Sequence, residues 1–371
     1  MTHPPTILVT GAAGFAGSHL LDLLGEEHVR VVALRKPGVG AETQAAYPAV
    51  TWMEIDLLDR DAMRRTVGDL APAVVYHLAG APHVGQSWLA ATETLAVNVM
   101  GTHALLEALR LEGAPSRVVV PSSAYVYRPA DRALTEDDAV EATNPYAISK
   151  VATELAVVRA ARVDGIRAVV ARSFNHIGPR QDPSFFASGV ARQVALIEAG
   201  RLEPVIRVGN LESRRDLTDV RDTVRAYRAL AERGTPGRAY NVCSGHAYRM
   251  RDLLDGIVAL ARVTVDVQPD PERFRPNDTP LLLGDPSLIR QATGWEPRVP
   301  IEQTLHDLLD GIVAHARVTV TIQPDPDRLR PNDTPLLLGD PALIRNATGW
   351  EPRMPLERTL QDLLDYWRRA A

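Results

Sequence analysis

The amino-acid sequence predicts an α/β protein built on a doubly wound parallel sheet, with a smaller lobe interleaved towards the C-terminus. Two observations predict this fold. In the first half, short apolar runs alternate with amphipathic helical stretches, and after about residue 174 the pattern turns irregular and rich in proline. Strands that are apolar on both faces are typical of a sheet covered by helices on both sides, with ligands at the carboxyl ends of its strands. The predicted strands are residues 7–10, 29–34, 74–79, 117–122 and 167–172.

We expect the sheet domain to comprise residues 1–174 and about 209–244, and the smaller lobe about 175–208 and 245–371. The smaller lobe contains a tandem duplication. Residues 252–306 and 307–361 align without gaps at a period of 55 and differ at 11 positions. Two units are too few for a solenoid, which needs at least about three repeats to bury its core. We therefore interpret the repeat as a partial duplication inside one lobe.

Composition excludes several classes of protein. The formal net charge of −5 offers no basic surplus for a phosphate backbone, so nucleic acid is not an expected partner. No apolar run is long enough to cross a bilayer, and the N-terminus lacks the features of a signal peptide. The single cysteine, Cys243, fits a reducing compartment. We expect a cytoplasmic protein without a membrane span or a metal site.

A glycine-rich turn follows the first predicted strand. Gly11, Gly14 and Gly17 lie between this strand and an amphipathic helix, with Phe15 and Ala16 in the same turn. Glycines permit the tight turn and the close approach of a pyrophosphate to the helix N-terminus. Because the context is strand, turn and helix, the motif predicts a dinucleotide-binding Rossmann domain.

The end of the second strand suggests which dinucleotide binds. An acidic residue there would hold a ribose 2′-hydroxyl, but this chain has Arg35 and Lys36. Two cations suit the 2′-phosphate, so NADP(H) is favoured over NAD(H); the alternative is a solvated basic loop. Asp56 stands where a carboxylate reaches an adenine amino group, although a plain strand-end aspartate explains it equally well.

Three residues carry the predicted chemistry. Tyr146 and Lys150 lie four positions apart on one face of a predicted helix, and Lys150 is one of only two lysines in the chain. A lysine cation lowers the pKa of a neighbouring phenol, which makes it a useful acid or base near neutral pH. Ser123 follows the strand 117–122, where its hydroxyl would face the cofactor and could orient a carbonyl. The alternative is a turn serine beside a surface tyrosine and lysine.

These motifs, with the segment His77-Leu78-Ala79-Gly80 and Asn98, together resemble the extended short-chain dehydrogenase/reductase family. Within it, segments 172–179, 205–212 and 215–222 and the repeated RPNDTPLLLGDP are most similar to reductases of GDP-4-keto-6-deoxymannose. The resemblance covers the chain apart from the extra repeat. It implies reduction of a nucleotide-linked 4-keto sugar by NADP(H) and a homodimer.

The resemblance also implies site residues. It assigns Ser123, Tyr146 and Lys150 to catalysis. It places the cofactor against Asp56, Leu57, Leu78, Ala79, Gly80 and Asn98, and a GDP-linked sugar against Asn175, Arg215, Arg275 and Asp278 (or Arg330 and Asp333 of the second repeat copy). Chain order favours the first copy, because it continues directly from the preceding strand.

The sequence also bears on two other activities of the family and on a non-catalytic role. Sugar-nucleotide dehydratases of the family carry an Asp-Glu pair after the catalytic hydroxyl, where this chain has Ala124 and Tyr125. Without an acid and base for elimination, dehydration is disfavoured. A 4-epimerase, which returns its hydride to the substrate, and a binding protein that has lost turnover remain as alternatives.

Overall fold

The computed structural model describes residues 4–198, 200–259, 261, 263–264, 266–269, 336–337 and 356–370. A seven-stranded parallel sheet forms the larger domain, in the order β10-β6-β5-β4-β1-β2-β3. Its strands are β1 (Thr6–Thr10), β2 (Arg30–Arg35), β3 (Thr51–Glu54), β4 (Val74–His77), β5 (Arg117–Ser123), β6 (Arg167–Ser173) and β10 (Ala239–Val242). The strand order reverses direction beside β1, which opens a crevice at the carboxyl ends of β1 and β4. The predicted doubly wound sheet is confirmed.

Helices cover both faces of this sheet. They are α1 (Phe15–Gly25), α2 (Ala41–Ala46), α3 (Arg60–Leu70), α4 (Ala91–Leu95), α5 (Gly101–Leu111), α6 (Pro145–Val163) and α8 (Val220–Arg233). Alternate residues of β1 are buried on opposite faces: Ile7 and Val9 pack in one apolar cluster and Leu8 in the other. This explains why the strand is apolar throughout. Among the described helices, none has the length and apolarity to span a membrane.

The described part of the smaller lobe has two short sheets and three helices. In one, β9 (Arg214–Asp219) pairs with β7 (Asn175–Ile177), β11 (Ala247–Arg249) and β13 (Leu336–Leu337). In the other, β8 (Val205–Val208) pairs with β12 (Asp266–Pro269). The helices are α7 (Phe186–Glu198), α9 (Met250–Ala259) and α10 (Leu356–Ala370). The expected sheet-domain segment 209–244 is thus divided, since β9 joins the small lobe while α8 and β10 join the large sheet.

Both repeat copies contribute elements to the small lobe. The first copy supplies most of α9 and all of β12, whereas β13 and the start of α10 come from the second. Leu254 of α9 and Leu360 of α10 are buried in the same apolar cluster. Residues 270–335 separate β12 from β13, although the equivalent leucines of the first copy, 281 and 282, follow β12 after residues 270–280. The connection is therefore longer by one repeat period.

Candidate active site

The glycine turn has the geometry that a dinucleotide pyrophosphate requires. Gly11 has a φ of +66°, and a Cβ there would lie 2.5 Å from the backbone nitrogen of Ala79. A Cβ on Gly17 would lie 2.3 Å from the carbonyl oxygen of Gly11. No side chain caps α1, whose N-cap residue is Gly14, so its first N–H groups are not taken by a capping side chain. The turn thus fits the negatively charged bridge of NAD(P)(H) at the helix N-terminus.

A cleft of about 690 Å³ lies between the carboxyl ends of the large sheet and the small lobe. It brings together most of the residues predicted from sequence: Gly11, Gly14, Phe15, Ala16, Gly17, Leu78, Gly80, Ser123, Tyr146, Lys150, Asn175 and Arg215 all line it. Other predicted cofactor residues stand outside this lining set, namely Arg35, Lys36, Asp56, Leu57, Ala79 and Asn98. Asp56 is exposed and accepts a hydrogen bond from the backbone of Leu58, as an ordinary turn aspartate does. The cleft therefore contains the three predicted catalytic residues together with Asn175 and Arg215 of the predicted substrate site.

Asn98 supports the cleft from behind. It lies in a π-helical turn, Ala96–Met100, between α4 and α5. Its Oδ1 accepts from the backbone of Ala81 at 2.7 Å, and its Nδ2 donates to Oγ of Ser149 at 2.9 Å. A Cβ on Gly80 would meet the same Oδ1 at 2.8 Å. Asn98 therefore holds the loop after β4 against the helix that carries Tyr146 and Lys150.

His77, at the end of β4, is buried and neutral. Thr102 donates to the carbonyl of Asn98, so its oxygen accepts from Nε2 of His77 at 3.0 Å. Nδ1 then accepts from the Thr10 hydroxyl at 2.9 Å, and that hydroxyl accepts from the backbone of Ala79. Burial and the nearby Lys150 lower the pKa of His77 to about 3. This chain of hydrogen bonds fixes the ends of two neighbouring strands that floor the cleft.

The catalytic residues predicted from sequence converge from two elements. Ser123 is the last residue of β5, while Tyr146 and Lys150 lie on α6. That helix begins where Asn144 accepts from the backbone of Ala147 at 2.8 Å and a proline occupies the first turn. All three side chains line the cleft.

The electrostatic setting of Lys150 suits proton chemistry. Its Nζ donates to the carbonyl of Pro121 at 3.0 Å and lies 5.7 Å from the centroid of the Tyr146 ring. Burial lowers the pKa of Lys150 to about 8, and Glu154 acts in the opposite direction. A cation beside the Tyr146 ring stabilises negative charge that develops on the phenolic oxygen when its proton is transferred.

A buried ion pair braces the same helix. Arg172 of β6 donates to Glu154 through Nε at 2.9 Å and Nη2 at 2.8 Å. It also donates to the Tyr127 hydroxyl at 3.0 Å, and Tyr127 donates to Asn241 at 2.6 Å. This network joins α6, the turn after β5, β6 and β10. It lies one helical turn beyond Lys150, so it positions the catalytic face of α6 against the sheet.

On the substrate side, β7 and β9 place Asn175 and Arg215 in the cleft. Arg215 is 4% exposed, and its Nη1 donates to the carbonyl of Arg214. The remaining predicted substrate residues, Arg275 and Asp278 (or Arg330 and Asp333), lie outside the described residues. Their assignment stays a prediction.

Sequence reasoning missed several polar residues of the cleft. Arg192 and Gln193 reach it from α7, and Gln181 and Asn210 from loops of the small lobe. The apolar periodicity of α7 identifies only the face that enters the core. The surface that the polar face of α7 meets is set by tertiary packing against the other domain. No pattern in the neighbouring sequence could therefore identify these residues.

The charge of the lining is one-sided. Lys150, Arg192 and Arg215 line the cleft, whereas none of its described lining residues is Asp or Glu. The position after Ser123 is the buried Ala124, followed by Tyr125, which also faces the cleft. The cleft therefore suits a substrate with a diphosphate, and its described lining offers no carboxylate for removing a proton from carbon.

Comparisons with known proteins identify the family of this chain. The model of the family described as GDP-mannose 4,6 dehydratase matches residues 8–308. GDP-6-deoxy-D-mannose reductase of Pseudomonas aeruginosa is 34% identical over 309 residues, which cover 82% of this chain and 95% of that protein. UDP-glucose 4-epimerase of Bacillus subtilis is 30% identical over 327 residues, which cover 81% of this chain and 95% of the epimerase.

A solved structure extends the likeness over the whole fold. The structure of RMD from Pseudomonas aeruginosa complexed with NADPH superposes with a TM-score of 0.73 at 28% identity, covering 99% of this chain and 100% of that one. These matches confirm the resemblance inferred from the sequence motifs. The chain therefore belongs to the GDP-mannose 4,6 dehydratase family, among the NAD(P)-dependent sugar-nucleotide enzymes of the extended short-chain dehydrogenase/reductase fold.

Proposed function

We propose that this enzyme reduces the C4 ketone of GDP-4-keto-6-deoxymannose with NADPH, which yields GDP-rhamnose. One observation separates this activity from the dehydration that others of the family catalyse: Ser123, Tyr146 and Lys150 face a cleft whose described lining has cations and no carboxylate. Reduction of a ketone needs one proton for the carbonyl oxygen, and it does not require a base that removes a proton from carbon. The similarity to GDP-6-deoxy-D-mannose reductase of Pseudomonas aeruginosa supports reduction as well.

In the proposed mechanism, a hydride from the nicotinamide cofactor would add to C4 of the sugar once the cofactor is bound. Tyr146 donates its phenolic proton to the oxygen of the former ketone, so a C–H and an O–H bond form while the C=O double bond becomes single. Lys150 stabilises the resulting phenolate until a proton from solvent restores it. Ser123 donates a hydrogen bond to the carbonyl oxygen as negative charge develops there.

Arg192 and Arg215 would bind the diphosphate of the substrate. Both line the same cleft as the catalytic residues, and arginine pairs with phosphate oxygens through two parallel hydrogen bonds. Asn175 of β7 also lines this cleft, where its amide would hold the sugar or its ribose. The sugar carbonyl would then lie against Ser123 and Tyr146.

The test is NADPH consumption with a panel of nucleotide 4-keto sugars and product analysis. We expect one NADP+ for each GDP-4-keto-6-deoxymannose reduced, with slower turnover of the UDP- and dTDP-linked analogues. Interconversion of two sugars without net NADP+ formation would establish an epimerase instead. Tight substrate binding without turnover of any member would establish a binding protein.

The protein is proposed to act as a homodimer with a second copy of this chain. Large apolar side chains on one side of the sheet domain are exposed: Leu95 and Met100 near α4, and Ile148 and Leu155 seven positions apart on α6. Sedimentation should give twice the 40.5 kDa of one chain. Leu155→Arg should give a monomer; a native protein that is already monomeric would contradict the proposal.

A further inference from the structure

An ion pair closes the carboxyl end of β2. Arg35 is the last residue of that strand, and its Nη2 pairs with the carboxylate of Glu54, its partner in register on β3. Nε of Arg35 also donates to Oε1 of Gln44 at 3.0 Å, and Nη1 donates to the carbonyl of Val39 at 2.9 Å. Three acceptors on three segments thus hold one guanidinium. Its side chain is 11% exposed, whereas that of Glu54 is 48% exposed.

The segment that holds Arg35 packs on the glycine turn. Thr43 donates to the carbonyl of Ala13 at 3.4 Å, and a Cβ on Gly40 would lie 2.3 Å from the Cβ of Ala13. The backbone of Ala12 donates to the carbonyl of Leu34, the residue before Arg35. The guanidinium is therefore fixed beside the turn that fits a pyrophosphate, where the adenosine ribose of a bound dinucleotide would lie.

The two cationic side chains at the end of β2 differ in whether other groups of the protein already bind them. Lys36 is exposed, and within the described part of the chain no side-chain hydrogen bond or ion pair holds it. Arg35 already has an anionic partner. A 2′-phosphate that binds Arg35 must share it with Glu54, and two anions on one guanidinium repel each other. A ribose 2′-hydroxyl, by contrast, can donate to the Glu54 carboxylate at no such cost.

We propose that Glu54 sets the cofactor preference of this enzyme, because it competes with the 2′-phosphate of NADPH for Arg35 and accepts from the 2′-hydroxyl of NADH. The inference rests on the proposed function only in placing the cofactor ribose at the end of β2. Arg35 would then bind the 2′-phosphate of NADPH, and Glu54 would bind the 2′-hydroxyl of NADH. Lys36 supplies the attraction that is specific for phosphate.

Binding titrations of the full-length protein with NADPH and with NADH, without substrate, test the proposal. Glu54→Gln keeps the size of the side chain and removes its charge. We expect the ratio of Kd for NADH to Kd for NADPH to rise by about five- to tenfold, as expected for removing one partly screened charge. Glu42→Gln, an exposed glutamate on the neighbouring α2, is the matched control and should leave the ratio unchanged.

A double-mutant cycle locates the effect on Arg35. Arg35→Gln should weaken NADPH selectively, and Glu54→Gln should then no longer tighten NADPH in that background. The effect of Glu54→Gln should also shrink at high salt. If Glu54→Gln leaves the ratio unchanged while Arg35→Gln still weakens NADPH binding more than NADH binding, the role of Glu54 is overturned. The placement of the cofactor ribose at this strand end would then still stand. If neither Arg35→Gln nor Lys36→Gln discriminates between cofactors, the ribose is not at this strand end and the inference fails with that placement.

Discussion

The two sides of the cleft differ in how their polar groups are held. On the sheet side, His77 and Asn98 are buried and Lys150 is half-buried, and each makes hydrogen bonds to groups from another element. On the small-lobe side, Arg192 and Arg215 come from α7 and β9, whose packing depends on chain segments far apart in sequence. The proposed catalytic groups are thus held by hydrogen bonds between neighbouring elements of the sheet domain, whereas the position of the proposed substrate-binding groups depends on how the small lobe packs.

The largest expected effect lies on the sheet side. Tyr146→Phe removes only the transferable proton, so kcat should fall by about 10²- to 10⁴-fold while the Kd for NADPH stays unchanged. Tyr125→Phe is the matched control, because Tyr125 lines the same cleft but does not lie on α6. Single-turnover kinetics and cofactor titration measure the two quantities. A kcat above about a tenth of the native value would contradict the acid role.

The second prediction concerns the frame itself. Glu154→Gln leaves Arg172 as a buried, poorly compensated charge, so the free energy of unfolding should fall by about 3–5 kcal/mol. Glu141→Gln, which breaks an exposed pair with Arg128, should cost less than about 1 kcal/mol. Urea unfolding compares them. A double variant, Glu154→Leu with Arg172→Met, should recover much of the loss, since neither charge is then buried alone.

The third prediction tests how the substrate side is assembled. Chain order favours Arg275 of the first repeat copy, but Leu336 and Leu337 of the second copy pair with Arg214 and Arg215. Because Arg330 precedes this pairing by only a few residues, we expect Arg330→Ala to raise KM for the GDP-sugar about ten- to a hundredfold, as for loss of a charged hydrogen bond. Arg275→Ala should change it little. The opposite pattern in steady-state kinetics would assign the cleft to the first copy.

The smallest expected effect is on the pH dependence of stability, and it concerns His19, which contacts the small-lobe side. Arg180 of the small-lobe side donates to Nδ1 of His19, whose Nε2 therefore donates to the carbonyl of Pro179 at 2.9 Å. Burial, followed by the charge of Arg180, lowers the pKa of His19 to about 4. The unfolded chain takes up this proton first, near its ordinary pKa of about 6.5. Stability is therefore complete above that pH and falls as the pH drops towards 4.

We expect this histidine to cost roughly 1–2 kcal/mol of unfolding free energy between about pH 6.5 and 5. His19→Gln keeps a donor and an acceptor but cannot titrate, so its stability should depend less on pH over that interval. His28→Gln, at an exposed histidine, should leave the pH dependence of unfolding as in the native protein. Equal slopes in all three proteins would show that folding does not lower the pKa of His19.

The regularity of the large sheet made it predictable. Five apolar runs became β1, β2, β4, β5 and β6 with shifts of a residue or two, because both faces of each strand are buried and leave a continuous signal. Strand β3 was implied only by the interpretation of Asp56 as a strand-end aspartate, and its pairing with β2 was not foreseen, since Thr51–Glu54 is half-buried on the sheet edge. The contact between Arg35 and Glu54 follows from that register and was invisible for the same reason.

By itself, the sequence determined the elements whose signals are local. The strand, turn and helix around Gly11, the spacing of Tyr146 and Lys150 on one helical face, and the apolar strands all depend on neighbours along the chain. Tertiary structure alone decided what depends on pairing between distant segments. It brought β9 into the small lobe, directed Arg192 into the cleft and paired β13 of the second copy with β9. Two nearly identical repeats offer the same side chains to β9, so only packing in the assembled lobe can choose between them.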